Sequence, residues 1–436
     1  MNHQIAGNDD VVFKKTVLPN GIRVVTESHS QSRASSFGVW VEVGARSEKP
    51  HQKGLSHLIE HMVFKGTEKR SAFEIARALE SLGGELNAYT TREYTCFHGT
   101  TLSEDWKVCL DVLIDLVLNP KLDPVEFERE KGVVLQEISM TVDSAEEWCF
   151  DEFFRKLYRN TSLGWPILGT EDSIKNCSLD TLREYYNEHY HPRNIIVSGA
   201  GSLDHEEIVQ WISELTQSWG SGPESSSNSR AVVVGQSRVS PFEISQIDFL
   251  EEQLNSPKYE QCHIVMATPS SSFKDKTRFE AFIFNSLLGG GMTSRLYQKI
   301  REEQGLVYIV YSQLMTLTDH GLCTLYAGTE VGESQKVVDG LTDELKSLVE
   351  RGVTAEEVNL FKTQVRGSLL LGADDIENRM SSLAVNEMVF QEYRSVESVI
   401  DQVMNVTVDS MRDYIDQWIK PFGAAKFVVG GNPVKF

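Results

Sequence analysis

The sequence predicts an α+β protein made of two homologous domains, each a mainly antiparallel sheet packed with helices. Three observations predict it. At 436 residues the chain is longer than one hydrophobic core usually organises. A stretch running from Trp219 through Gly220, Gly222 and Pro223 to Ser229 is rich in glycine and serine, nearly devoid of apolar residues, and close to the midpoint. The order of strand and helix patterns before that stretch recurs after it, as in a duplicated unit. The expected division is a domain over 1–220, a linker over 221–232 and a second domain over 233–436.

In the first half, residues 11–17 and 22–27 read as strands joined by Leu18-Pro19-Asn20-Gly21, where Asn-Gly supplies hairpin turn chemistry. Phe37, Val39, Val41 and Val43 alternate, the pattern of a half-buried strand. A polar segment then delivers the chain into a helix around His57. Ser71 and Glu74 form a capping box opening a second helix, which Gly83-Gly84 ends. Strands are expected over 85–90 and 94–102, and a helix over 106–118 that stops at Asn119-Pro120. Asp123 opens a longer helix running past Glu137, and helices over 178–190 and 204–216 flank a strand over 195–199. The second half repeats this layout. A strand over 261–268 leads to a helix over 277–288, Gly289-Gly290-Gly291, a helix over 294–303, strands over 307–317 and 322–328, and long helices from Glu330 and Thr354. Its counterpart of the His57 helix, Phe279-Glu280-Ala281-Phe282-Ile283-Phe284-Asn285, has no histidine, so only the first copy is expected to carry a site.

Composition narrows the function. Forty-two basic against 63 acidic residues give a net charge of −21, which argues against nucleic acid or an anionic membrane as partner. No 18-residue apolar run is present, so no membrane span is expected. The N-terminus has neither a basic nor an apolar signal region, and the six cysteines are scattered without a C-x-x-C pair. Reduced, buried thiols and a cytoplasmic location are the expectation.

The chemistry concentrates in Gly54-Leu55-Ser56-His57-Leu58-Ile59-Glu60-His61-Met62-Val63-Phe64. On a helix, His57 and His61 lie about 40° apart and Glu60 about 60° to the other side of His57, so all three project from one sector. Two imidazoles one turn apart make a metal clamp, and an acid beside them can act on water at the metal. This is H-x-x-E-H, the inverted form of the H-E-x-x-H zinc motif, for which a chain of this composition gives about 0.02 chance matches. A third ligand is needed. The helix after Asp123 offers Glu126, Glu130 and Glu137. Glu130 and Glu137 are two turns apart and nearly in register, but acids on helices are mostly solvated, and spacing leaves Glu137 one of several.

His57-x-x-Glu60-His61 followed by Glu137 resembles the pitrilysin/insulysin family of zinc metallopeptidases, and most closely its shorter bacterial processing proteases and the β subunit of mitochondrial processing peptidase. The resemblance extends over Leu18-Pro19-Asn20-Gly21, the run from Gly83 to Thr95, Phe127-Glu128-Arg129-Glu130-Lys131, Gly289-Gly290-Gly291-Met292-Thr293-Ser294-Arg295-Leu296, and the run from Arg301 to Tyr308. It implies His57, His61 and Glu137 as ligands of one Zn²⁺ per chain, Glu60 as general base, and Glu130 as a further acid of the catalytic site near the metal. It also implies that Asn87, Ala88, Tyr89 and Thr90 bind substrate as an edge strand, and that Arg301 and Tyr308 reach substrate from the second half. Without the resemblance these would read as an internal strand, a helix-end arginine and a strand tyrosine. The family fold it implies closes two halves like a clam around an unfolded or extended peptide, as a homodimer. An inactive homologue serving as a structural subunit is the competing reading. Such members usually lose part of the motif, which this chain keeps whole. A zinc hydrolase of another reaction class is disfavoured by the Arg301/Tyr308 pattern.

Overall fold

The computed structural model describes residues 3–6, 11–159, 161–220, 232–234, 237–239, 242–256 and 258–436. Residues 221–231 of the expected linker lie outside them. Two compact units emerge.

The first is built on a seven-stranded sheet, in the order His3–Ala6, Val11–Val17, Arg23–His29, Ile195–Gly201, Ala34–Val41, Thr95–Leu102, Glu85–Thr90. Only Arg23–His29 and Ile195–Gly201 run parallel; every other neighbouring pair is antiparallel. Phe37, Val39 and Val41 turn to one face, where Leu58, Ile59, Met62, Leu110, Leu113, Leu182 and Ile208 from the surrounding helices bury them. Glu85–Thr90 ends the sheet, so its outer edge is unpaired within this unit among the described residues.

The second unit carries a five-stranded sheet in the order Glu251–Leu254, Ala425–Val429, Cys262–Ser270, Gly321–Thr329, Val307–Thr316. Its one parallel pair is Glu251–Leu254 with Ala425–Val429. This is the order and orientation of the last five strands of the first sheet, so the duplication expected from element order is present in the topology.

The units are not the contiguous halves expected from the sequence. One comprises Met1–Ser139, Trp165–Ser240 and Leu371–Ser395, the other Met140–Gly164, Pro241–Leu370 and Val396–Phe436. Each half of the chain thus contributes a segment to the other unit. In the first unit the helix Ile376–Phe390 covers the second face of the sheet, packing Met380, Leu383 and Ala384 onto Phe13, Val25, Trp40 and Ile196. In the second unit Ala145–Leu157 does the same, with Cys149, Phe153 and Leu157 against Val265, Ala267 and Phe427. The strand Ala34–Val41, expected to be half-buried, is therefore buried on both faces. On its second face the large ring of Trp40 lies beside Ser36 and Gly38, and the glycine leaves the room that lets a helix come close. A Cβ on Gly38 would lie 2.4 Å from Trp40 Nε1 and 2.6 Å from Met380 Sδ. Two polar pairs lie under the helix: Arg379 donates to both carboxylate oxygens of Glu27 at 2.8 and 2.6 Å, and Trp40 Nε1 donates to Ser198 Oγ at 2.7 Å. Neither exchanged helix was expected from the sequence, nor were Val396–Met404, Val408–Tyr414 and the strand Ala425–Val429.

Candidate metal centre

Leu55–Val63 is an α-helix whose apolar residues Leu55, Leu58, Ile59, Met62 and Val63 point into the core, leaving His57, Glu60 and His61 on the opposite side. Gly54 caps it at φ +87°, and a Cβ there would come 2.6 Å from the Leu168 carbonyl oxygen. A buried acid completes the cap. Glu48 accepts from the Gly54 and Ser56 amides, each at 2.8 Å, which satisfies donors that a helix leaves open at its start. Burial pushes the Glu48 carboxyl up to about 8 against the pull of those amides.

The long helix Pro124–Asp143 brings the third donor. It packs through Phe127 and Val134, and this rotation turns Glu137 toward the two histidines while Glu126 goes outward to pair with Arg129 at 2.5 Å. Glu137 Oε2 lies 3.8 Å from His57 Nε2 and 3.6 Å from His61 Nε2. These separations are too long for hydrogen bonds, and Glu137 Oε2 is buried without a hydrogen-bond partner. They are close to the edges of a tetrahedron about an ion with ligand bonds of about 2.0–2.1 Å, which measure roughly 3.3 Å. Among the described residues, His57, His61 and Glu137 form the one group of at least three His, Cys, Asp or Glu donors able to hold a metal ion. Two nitrogens and one carboxylate oxygen are a donor set that suits Zn²⁺ and leaves a fourth position open. Burial, then the neighbouring His61, lowers the His57 pKa to about 4, so its ring is neutral at neutral pH, as a ligand must be.

Around this trio each remaining acid has a distinct place. Glu130 is buried and accepts a hydrogen bond from His61 Nδ1 at 3.1 Å, while its other oxygen meets Lys65 Nζ at 2.9 Å. A carboxylate has no proton to give, so Nδ1 carries the hydrogen and Nε2 faces Glu137 with its lone pair. Glu130 therefore orients the His61 ring from its far nitrogen and stands apart from the group of His57, His61 and Glu137. Glu60 accepts from Thr90 Oγ1 at 2.5 Å. Burial raises its pKa.

Asn87, Ala88 and Tyr89 all lie on the unpaired edge strand, but their side chains divide. Leu86 and Ala88 pack toward the core that holds the histidine helix, whereas Tyr89 packs on the opposite face against Trp40, with ring centroids 6.1 Å apart. Asn87 Oδ1 accepts from the Ala88 amide at 2.8 Å, which marks that amide as pointing away from the sheet. In the second unit, Arg301 and Tyr308 do come together. Residues Tyr297–Glu303 form a π-helix, which sets the Arg301 guanidinium 4.7 Å from the Tyr297 ring centroid and 5.2 Å from that of Tyr308. Tyr308 is 83 % exposed. Reading the sequence missed Glu48, Lys65 and the contact of Thr90 with Glu60. Lys65 stands one turn after His61, a spacing that would have signalled it; the other two act across gaps that no periodicity marks.

Comparison with known proteins places these features in a family. Residues 23–171 match the insulinase family (peptidase family M16), and residues 176–365 match the family's inactive domain. An uncharacterized zinc protease of Streptomyces coelicolor is 34 % identical over 92 % of this chain and 85 % of its own. Another, from Bacillus subtilis, is 32 % identical over 97 % of this chain and 99 % of its own. Among solved structures, a protease from Helicobacter pylori superposes with a TM-score of 0.87 at 18 % identity, covering 97 % of this chain and 99 % of that one. A peptidase M16 inactive domain from Pseudomonas fluorescens gives 0.86 at 17 % identity, with 97 % and 99 % covered. The two-domain α+β architecture is shared with these structures, and the chain belongs to the insulinase family of peptidases, family M16.

Proposed function

We propose that the protein is a zinc-dependent endopeptidase that cleaves unfolded or extended peptides. One observation carries this reading: Glu137 Oε2, buried and without a hydrogen-bond partner, stands between the Nε2 atoms of His57 and His61, with Glu60 on the same helix face. The names of the relatives, zinc proteases, support it. His57, His61 and Glu137 would hold the ion, which when bound supplies Lewis-acid polarisation of water and of the scissile carbonyl. The chain's own residues do the rest. The backbone groups that alternate outward along the edge strand, those of Ala88 between Asn87 and Tyr89 among them, add an extended peptide to the sheet edge, a mode tolerant of side chains. Glu60 takes the proton of the attacking water and returns it to the leaving amine, the two halves of one base–acid cycle. Glu130 keeps the His61 ring oriented. Arg301 and Tyr308 present a cation and a phenol to substrate from the second unit.

Retention of His57, Glu60, His61 and Glu137 weighs against the inactive, purely structural reading. Among the described residues no helix is long and apolar enough to cross a membrane. A cytoplasmic homodimer is the accompanying expectation, checked by fractionation and light scattering. The decisive experiment pairs metal analysis with Glu60→Gln. The wild type should carry about one zinc per chain, and the variant should keep it while losing about 10²–10⁴-fold of its turnover on unfolded peptides. Absence of zinc after reconstitution, or near wild-type turnover by the variant, overturns the reading.

A further inference from the structure

Glu60 is held by a residue of the strand that would receive substrate. Thr90 is the last residue of Glu85–Thr90, and its hydroxyl donates to Glu60 Oε2 at 2.5 Å. The direction of that bond is fixed by its surroundings. The paired residue across the hairpin, Thr95, spends its own hydroxyl proton on the Val43 carbonyl at 3.0 Å, so it is available to Thr90 only as an acceptor, 3.5 Å away. A carboxylate at 2.5 Å is the stronger acceptor, and Thr90 serves it.

The turn after Thr90 also holds the hydroxyl in place. The chain reverses over 91–94, closed by Thr91 N to the Tyr94 carbonyl at 2.8 Å and by the Tyr94 amide to Thr91 Oγ1 at 3.0 Å. That turn is fastened to the segment leading into the histidine helix. Ala45 N donates to Thr91 O at 3.1 Å, Arg46 N donates to Arg92 O at 2.8 Å, and the buried Arg46 and Glu93 side chains pair at 2.7 Å. Gly44 is needed for this approach, since a Cβ there would lie 2.4 Å from the Thr91 oxygen. The strand end and the helix start are thus parts of one rigid corner. By strand alternation, Ala88 and Thr90 turn their side chains to the helix, while the backbone groups of alternate residues stay at the open edge.

We propose that Thr90 is a positioning residue for Glu60, tying the orientation of the base to the strand on which an extended peptide would pair. The inference rests on the peptidase reading above. A Thr90 hydroxyl bound to one oxygen leaves Oε1 of Glu60 as the atom that meets water, in one rotamer instead of several. Because that corner is rigid, a peptide paired on the edge strand would meet Glu60 already in this orientation. Preorganisation of this kind acts on the chemical step and not on peptide affinity.

The test compares Thr90→Val, Thr90→Ser and Glu60→Gln as full-length, zinc-loaded proteins. A quenched-fluorescent peptide chosen from a random library with the wild-type protein serves as substrate. Loss of a charge-assisted hydrogen bond predicts a kcat lowered about 10- to 100-fold in Thr90→Val, with KM, zinc content and Tm nearly unchanged. Thr90→Ser, which keeps the hydroxyl, should recover most of that loss. Anisotropy of an unfolded fluorescein-labelled peptide on the zinc-stripped proteins should give the same affinity for wild type and Thr90→Val. If the valine variant does not fold, the Thr90→Ser and Thr90→Ala pair makes the same comparison. A wild-type kcat in Thr90→Val, a change confined to KM or peptide affinity, or a serine variant as slow as the valine one overturns the proposal. If Glu60→Gln itself keeps its turnover, the peptidase mechanism fails instead, so the two failures are told apart.

Discussion

Arg379→Met should loosen the first unit from its covered sheet face, by an amount that the structure sets. Glu27 lies on Arg23–His29 and is 1 % exposed. Burial alone would raise its carboxyl, but Arg379, His29 and Tyr393 overcome that and hold it at about 2 instead of the ordinary 4.5. The difference corresponds to about 3 kcal/mol favouring the folded unit at neutral pH. Because the folded pKa is the lower one, this contribution is complete above the ordinary carboxylate value and is lost as pH falls from about 5 toward about 2. Methionine keeps the length of the side chain and removes the guanidinium, stranding a buried carboxylate at a cost of about 3–5 kcal/mol. Hydrogen–deuterium exchange at pH 7 is the assay, since the unit need not unfold globally for the helix to open. Peptides spanning 34–41 and 376–390 should exchange about 10²- to 10³-fold faster in the variant. The Glu27→Gln/Arg379→Met double variant, which strands no charge, should be milder than Arg379→Met alone. Exchange within about threefold of wild type, or a double variant more damaged than the single, would refute the reasoning.

Two further outcomes are expected. Lys65→Met leaves buried Glu130 without its cation, and Glu130→Gln weakens the hold on His61 Nδ1; each should lower zinc affinity about 10- to 100-fold, as read by chelator competition. Unchanged affinity in both would mean that the Lys65–Glu130–His61 chain does not support the ligand. A fragment of residues 1–220 lacks Ile376–Phe390, so Phe13, Val25, Trp40 and Ile196 lose their cover. That fragment should bind a hydrophobic dye and hold zinc poorly. A fragment that is dye-silent and zinc-loaded would show the exchanged helix to be dispensable.

Much of the molecule is legible locally. Asn20-Gly21 marks the hairpin joining Val11–Val17 to Arg23–His29, Ser71 with Glu74 forms the capping box seen in the structure, and the bounds of Glu85–Thr90 and Trp106–Leu118 are set by turn residues and periodicity. The exchanged helices were not legible because their partner sheets lie far away in sequence, and Ile376–Phe390 buries Arg379 and Glu387 along with its apolar residues, which blurs its periodicity. The alternation of Phe37, Val39 and Val41 correctly marks one buried face, yet nothing in it announces a helix arriving on the other.

By itself, the sequence determined that His57, Glu60 and His61 share a helix face, that the fold is duplicated, and that one copy alone carries the motif. These are consequences of 3.6-residue periodicity and element order, which local sequence encodes. Only the tertiary structure decided that Glu137 stands between the two imidazoles while Glu130 turns to the far nitrogen of His61 and Glu126 turns away. It likewise decided that Thr90 meets Glu60. Spacing along one helix cannot choose among acids a few turns apart, because the choice depends on how that helix is rotated. Rotation is set by Phe127 and Val134 finding their places in a core assembled from the whole unit.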